Sequence, residues 1–137
     1  MVRAALAIAA STLAALALTA APAQPLSLAE ETLKGTWTGT LTQKQTPPFT
    51  VTATIRSFNR FTAKNPVRYG APLNCRGHWR YLDDQNNVYR FRETITAGDS
   101  DTCKGSGTVS ITWKGGDRAT YRFTGGGVTS TGPLKRK

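Results

Sequence analysis

The sequence predicts an all-β domain of seven or eight antiparallel strands in a meander, closed or nearly closed into a small barrel. Three observations carry this. Apolar and polar residues alternate at period two from Gly35 onward, the pattern of half-buried strands. The alternating segments are joined by short connections rich in Gly, Pro, Asn and Asp, so consecutive strands pair antiparallel. A meander of this length leaves two exposed edges, and closure removes them. A two-sheet sandwich is the alternative.

The chain has 137 residues, enough for one domain. Residues 1–23 read as a signal peptide. Arg3 gives a positive start, Ala4 to Ala21 is an apolar run, and Ala21-Pro22-Ala23 is a small-x-small site that places cleavage before Gln24. An uncleaved anchor is the alternative, because a run of about 18 residues just suffices to span a bilayer. No other stretch is apolar enough. Export makes the protein secreted or extracellular, with association to the cell envelope open. Residues 24–34 form an extension in which Ser27-Leu28-Ala29-Glu30 has the pattern of a capping box, so a short helix starts there.

The barrel domain is residues 35–137. Gly35 to Gln43 turns Trp37, Gly39 and Leu41 to one face and threonines to the other. Lys44 to Pro48 is a loop, stopped by two prolines. Phe49 to Phe58 resumes with Phe49, Val51, Ala53 and Ile55 inward. Asn59 to Asn65 is irregular, Pro66 to Tyr69 a short strand, and Gly70 to Leu73 a kink. Cys75, Gly77, Trp79 and Tyr81 then share an inner face, followed by a polar turn over Asp83 to Asn87. Tyr89, Phe91, Glu93 and Ile95 are inward on the return strand. After a Gly- and Asp-rich connection, Val109, Ile111 and Trp113 are inward, then Ala119, Tyr121 and Phe123 beyond a hairpin loop at Gly115-Gly116-Asp117. Val128 to Lys137 adds a last strand ending in the basic tail Lys135-Arg136-Lys137.

Cys75 and Cys103 are the two cysteines, and in an exported chain they read as one disulfide, with two free thiols as the alternative. With one histidine and no second cysteine pair, no metal site or cofactor is expected.

Asn74 to Thr96 concentrates the unusual chemistry. With the loop at Asp83 to Asn87, Tyr81 faces Tyr89, Trp79 faces Phe91 and Gly77 faces Glu93. The inner candidates for ligand binding are Glu93, Trp79, Tyr81, Tyr89 and Tyr121; the plain reading is that these aromatics are core. A lone inward carboxylate is costly to bury unpaired. Glu93 is therefore either a structural hydrogen-bond or ion partner, or an anchor for a ligand's amine or hydroxyl. A general acid is a third reading, but no second inward carboxylate accompanies it, and glycoside hydrolysis normally needs two.

The outer face is basic. The whole chain has 18 Lys and Arg against 8 Asp and Glu, a net charge of +10. Arg80 is expected opposite Arg90, His78 opposite Arg92 and Lys114 opposite Arg118, although facing like charges destabilise a sheet. Arg76, Arg80, Arg90, Arg92 and Arg122 are the candidates for an anion-binding face. A solvated basic surface is the plain alternative. Nucleic acid is the least favoured partner, because export removes the protein from it and base-stacking aromatics are few outside. His78, alone and outward, has no triad partner, and neighbouring arginines should lower its pKa.

An ordered set of motifs carries a resemblance. Gly35-Thr36-Trp37-Thr38-Gly39-Thr40, Tyr69, Cys75-Arg76-Gly77, Arg92-Glu93-Thr94-Ile95-Thr96-Ala97-Gly98, Cys103 and Gly107-Thr108-Val109 follow one another here. This set resembles a group of exported bacterial β domains that also occur at the far end of some membrane serine/threonine protein kinases. The resemblance covers Gly35 to Leu134 and implies a Cys75–Cys103 disulfide, a role for Glu93, sensing or ligand binding outside the cell, and no catalytic residue. The Gly35-x-Trp37 start is also similar to calycin barrels such as avidins and lipocalins.

The resulting expectation is a secreted, non-catalytic binding module, acting on an anionic envelope polymer through the arginine face or on a small ligand at the barrel mouth. The alternatives are a secreted interaction protein, such as an enzyme inhibitor using Lys44 to Pro48 or Asp99 to Lys104, and a small hydrolase.

Overall fold

The computed structural model describes residues 20–21, 32–103 and 105–137. The cleavage site and the Ser27 capping box lie outside these residues; Thr32 and Leu33 are helical. The barrel is closed by eight strands in chain order: β1 Gly35–Gln43, β2 Thr46–Ile55, β3 Asn65–Tyr69, β4 Arg76–Gln85, β5 Val88–Ala97, β6 Ser106–Gly115, β7 Arg118–Gly125 and β8 Val128–Arg136. Each strand pairs antiparallel with its neighbours, and β8 returns to β1. The expected closure is borne out.

Alternation builds the core as expected. Trp37, Leu41, Val51, Ile55, Trp79, Phe91, Val109 and Ile111 are fully buried, while the residues between them face out. The seam between β1 and β8 is tight. A Cβ on Gly39 would lie 2.0 Å from the Pro133 carbonyl oxygen, so only glycine fits there. Pro133, which has no N–H, has Thr120 as its partner on β7 and none on β1.

Two features of the strands differ from expectation. Pro47 and Pro48 do not stop a strand but lie within β2. They fall beyond the reach of β3, which pairs only with Val51, Thr52 and Ala53, so their missing N–H groups break no ladder on that side. The turn before them is just Lys44 and Gln45, the latter at φ 64°. The β4–β5 hairpin is also longer and bulged. Its turn is Asn86-Asn87, both with positive φ, and the pairing skips Leu82 between Tyr81 and Asp83. Consequently Tyr81 faces Phe91, Trp79 faces Glu93 and Gly77 faces Ile95.

The same shift re-pairs the outer face. Arg80 faces Arg92, His78 faces Thr94, and Arg90 faces Asp83, to which it donates two hydrogen bonds. Arg90 is thus an ion-paired residue rather than a bare cation. Lys114 is skipped where the β6–β7 pairing passes from Trp113 to Gly115, so it does not face Arg118; Lys135 does.

The two barrel ends differ. At the end holding the β4–β5 and β6–β7 turns, Phe58 lies edge-on to Tyr81 and Tyr89, with centroids 5.2 and 6.2 Å away. Buried Asn65 holds the segment after β2 across this end. Its Oδ1 accepts from the N–H groups of Arg56 and Ser57, and its Nδ2 donates to the carbonyls of Ser57 and Trp79. Trp37 donates its indole N–H to the Leu33 carbonyl at 2.9 Å, with Leu33 fully buried. Arg136 lies over the Trp37 ring at 4.5 Å and donates to Asp117 and to the Thr32 and Lys34 carbonyls. Arg136 therefore belongs to this closure and not to a free basic tail.

Candidate functional site

The other end is open. The β1–β2, β3–β4, β5–β6 and β7–β8 connections ring a cavity of about 330 Å³ that runs into the barrel. Phe49, Tyr69, Ile95, Tyr121 and Phe123 form much of its wall, Val128 and Ser130 stand at its mouth, and Glu93 lies along its inner part. The volume falls in the range of small-molecule sites.

Cys75 and Cys103 are disulfide-bonded, with Cα atoms 5.9 Å apart, and both line the cavity. The bridge ties the start of β4 to the β5–β6 connection. Thr102 adds a hydrogen bond from its hydroxyl to the Leu73 carbonyl, at 3.4 Å. On the opposite rim, Ser130 Oγ donates to Gln43 Oε1 at 2.6 Å.

Glu93 is 4% exposed. Its Oε2 accepts from the Trp79 indole N–H at 2.8 Å and from the Tyr69 hydroxyl. Tyr121 lies 2.8 Å from the Tyr69 oxygen; with the Tyr69 proton committed to Glu93, Tyr121 is the donor. Every fully buried side-chain polar atom among the described residues has a partner. Glu93 Oε1 has no hydrogen-bond partner among the described residues, so it is not sealed off, and it belongs to a residue of the cavity wall.

Burial pushes the Glu93 pKa up, opposed by the hydrogen bonds from Tyr69 and Trp79. Burial also pushes Tyr69 and Tyr121 well up, and the charge of Glu93 reinforces both shifts, so both phenols stay neutral and available as donors.

Of the five inner candidates, Glu93 and Tyr121 reach the cavity. Trp79 sits behind Glu93 and holds it. Tyr81 and Tyr89 pack at the closed end under Phe58. The alternation from Val67 to Tyr69 is the available sequence signal for Tyr69, which is not among the candidates; Phe49, Ile95 and Phe123 read from sequence only as core.

The outer candidates Arg76, Arg80, Arg90, Arg92 and Arg122 are all exposed. Arg80 lies directly opposite Arg92, and Arg76 opposite Arg68, which sequence reasoning passes over. Arg122 is separate, across β7 from Ser110 and Thr131. Arg68 and Arg76 border an outer groove with Thr52, Thr54, Thr96 and Lys137. His78 is half-buried in a separate hollow with Lys64, Arg80 and Thr94, and burial, then Lys64 and Arg80, lower its pKa. Of the two loops considered for protein contact, Lys44 to Pro48 contributes Lys44, Gln45 and Thr46 to the cavity lining and Asp99 to Lys104 contributes Asp101, Thr102 and Cys103; Lys104 lies outside the described residues.

Fold and site together define a small antiparallel barrel with one plugged end and one open, ligand-sized cavity. No protein-family model and no curated protein matches the chain. Two solved structures are similar to it in fold. One is a redesigned β-barrel, mFAP1, bound to DFHBI, at 18% identity and a TM-score of 0.55 over 79% of this chain and 98% of that one. The other is a de novo designed fluorescence-activating β-barrel, at 18% identity and a TM-score of 0.52 over 80% of this chain and 97% of that one. No helix among the described residues is long and apolar enough to cross a membrane.

Proposed function

We propose that the protein is an exported, non-catalytic barrel that binds one small molecule in the open cavity. The observation that carries this reading is Glu93: a buried carboxylate lining a 330 Å³ cavity, with one oxygen held by two donors and the other without a hydrogen-bond partner among the described residues. A purely structural acid would be expected to have both oxygens satisfied. The similar redesigned barrel bound to DFHBI supports the idea that a barrel of this fold can hold a small molecule. Export is supported by the apolar N-terminal run and by the disulfide, which persists in oxidising compartments. A hydrolase lacks support, since no second carboxylate among the described residues lies beside Glu93; Asp101 stands at the rim.

The test is heteronuclear NMR of the purified protein against a set of small aromatic and aliphatic fragments. Binding should perturb Phe49, Ile95, Phe123 and Val128, leave Tyr81 and Tyr89 unmoved, and disappear in Val128→Trp, which plugs the mouth. Perturbations confined to the outer wall, or unaffected by Val128→Trp, would overturn the reading.

A second reading has its own observation. Two arginine pairs face each other on adjacent outer strands, Arg68–Arg76 and Arg80–Arg92, with no hydrogen bond or ion pair to an acid among the described residues. This supports contact with an anionic envelope polymer along β3 to β5. Retention of the protein on isolated envelopes should fall steeply with salt and with Arg68→Thr/Arg80→Thr; salt-independent retention, or none, ends that reading.

A further inference from the structure

The cavity has a chemistry opposite to that of the outer wall. The barrel surface is strongly basic, yet the cavity lining includes the acids Glu93 and Asp101 with Lys44 as its one basic side chain among the described residues. Asp99 stands on the same β5–β6 connection as Asp101. Around Glu93 the cavity is aromatic, with Tyr69 and Tyr121 beside the carboxylate and Phe49 and Phe123 further along the wall.

The hydrogen bonds around Glu93 all run one way. The Trp79 N–H can only donate, and Tyr121 donates to Tyr69, which donates to Oε2. The two donors on Oε2, one of them backed by Tyr121, favour the negative carboxylate against its burial and leave Oε1 as an open acceptor. A neutral ligand would leave that charge uncompensated in a buried site, which is costly. A ligand ammonium would neutralise it through a charge-assisted bond, roughly twice as strong as a neutral one. Neighbouring aromatic rings attract the same cation.

Building on the ligand-barrel reading, we infer that the cavity selects a small organic cation. The ligand is a primary or secondary ammonium on an apolar or aromatic body, with its N–H directed to Glu93 Oε1 and its body along Phe49, Ile95 and Phe123.

The experiment is calorimetric titration of the purified protein at pH 7.5 with 2-phenylethylammonium, its neutral counterpart 2-phenylethanol, and phenylacetate. The ammonium should bind about tenfold more tightly than the alcohol, and phenylacetate more weakly than both. Glu93→Gln should bring the ammonium down to the affinity of the alcohol, and Val128→Trp should block both. If Glu93→Gln fails to fold, the order of the three probes on the native chain and their loss in Val128→Trp decide the matter. Equal or tighter binding of the alcohol or phenylacetate, still blocked by Val128→Trp, leaves the ligand barrel standing and overturns the cation inference. No binding of any probe at millimolar concentration overturns both.

Discussion

Trp79 and Glu93 sit directly opposite each other on β4 and β5, and the indole nitrogen reaches Glu93 Oε2 at 2.8 Å. This contact places the carboxylate. The indole occupies the space behind Glu93 and stacks obliquely against Phe91 and Tyr121, 5.7 and 5.9 Å away. Glu93 is therefore pinned from the closed side of the barrel and approachable from the open side. The plugged end and the cavity are parts of one arrangement: the packing that excludes water from one half holds the acid presented to the other.

Trp79→Phe removes the donor and, because Trp79 is fully buried, also leaves unfilled space behind Glu93. One hydrogen bond to a charged acceptor is worth about 1.5–3 kcal/mol, so a loss of at least that size is expected in urea unfolding. The Glu93 pKa should rise further, because a contact that favours the ionised form is gone; carboxyl carbon NMR reads this directly. A stability within a few tenths of a kcal/mol of the wild type would show that the indole contact does not hold the acid.

Glu93 also sets a pH dependence. Its folded pKa is raised above the ordinary 4.5, so the native state binds this proton more tightly than the unfolded chain. That contribution is fully present below pH 4.5 and is lost as pH rises through the folded value. Tyr69 and Tyr121, the titratable groups facing Glu93, remain neutral throughout this window. His78 acts oppositely: its folded pKa lies below 6.5, so its contribution is present above 6.5 and lost as pH falls through the folded value. Unfolding measured from about pH 4 to 7 in Glu93→Gln and His78→Gln separates the two. The decline with rising pH should vanish in Glu93→Gln alone.

The strands are legible in the sequence because one face of each is buried, and burial imposes alternation. Alternation assigns a face but not a depth. Tyr89, Phe91 and Glu93 share an inner face, yet Tyr89 meets the Phe58 plug while Glu93 meets the cavity. Register is harder to read, because it rests on the turn. Asn86-Asn87 makes a two-residue turn and Leu82 is skipped, which sets Trp79 opposite Glu93 in place of Gly77. Tyr69 ends β3, where alternation over only five residues marks it as inward but does not mark it as part of a site. It becomes Glu93's partner because β3 and β5 flank β4 in the curved barrel wall, which brings together residues 24 positions apart.

The disulfide links residues 28 apart in sequence. Constraint of the unfolded chain over such a loop is worth about 3.5 kcal/mol. Cys75→Ala/Cys103→Ala should lose roughly that amount in urea unfolding. It should also loosen the rim, since the bridge joins β4 to the β5–β6 connection. Faster amide exchange at Thr102 and Leu73, with Ile111 and Val51 changed only by the global loss, would separate the local effect from the general one.

Arg80 and Arg92 face each other on the outer wall with no acid within ion-pairing reach among the described residues, whereas Arg90, one pair along, is neutralised by Asp83. Like charges directly opposite each other destabilise a sheet by a few tenths to about 1 kcal/mol. Arg80→Thr should therefore stabilise the protein at low ionic strength, with threonine well suited to an exposed strand. The gain should shrink towards zero near 1 M salt, where the screening length is about 3 Å. Arg90→Thr should behave in the opposite sense, because it removes the partner that holds the Asp83 carboxyl below its ordinary pKa. A chain that becomes more stable without Arg80 carries that arginine against its own folding energy, and the same variant then tests what it is for. Loss of retention on an anionic surface together with the gain in stability would tie the cost to binding. A gain in stability with retention unchanged would leave the facing arginines without a part in it.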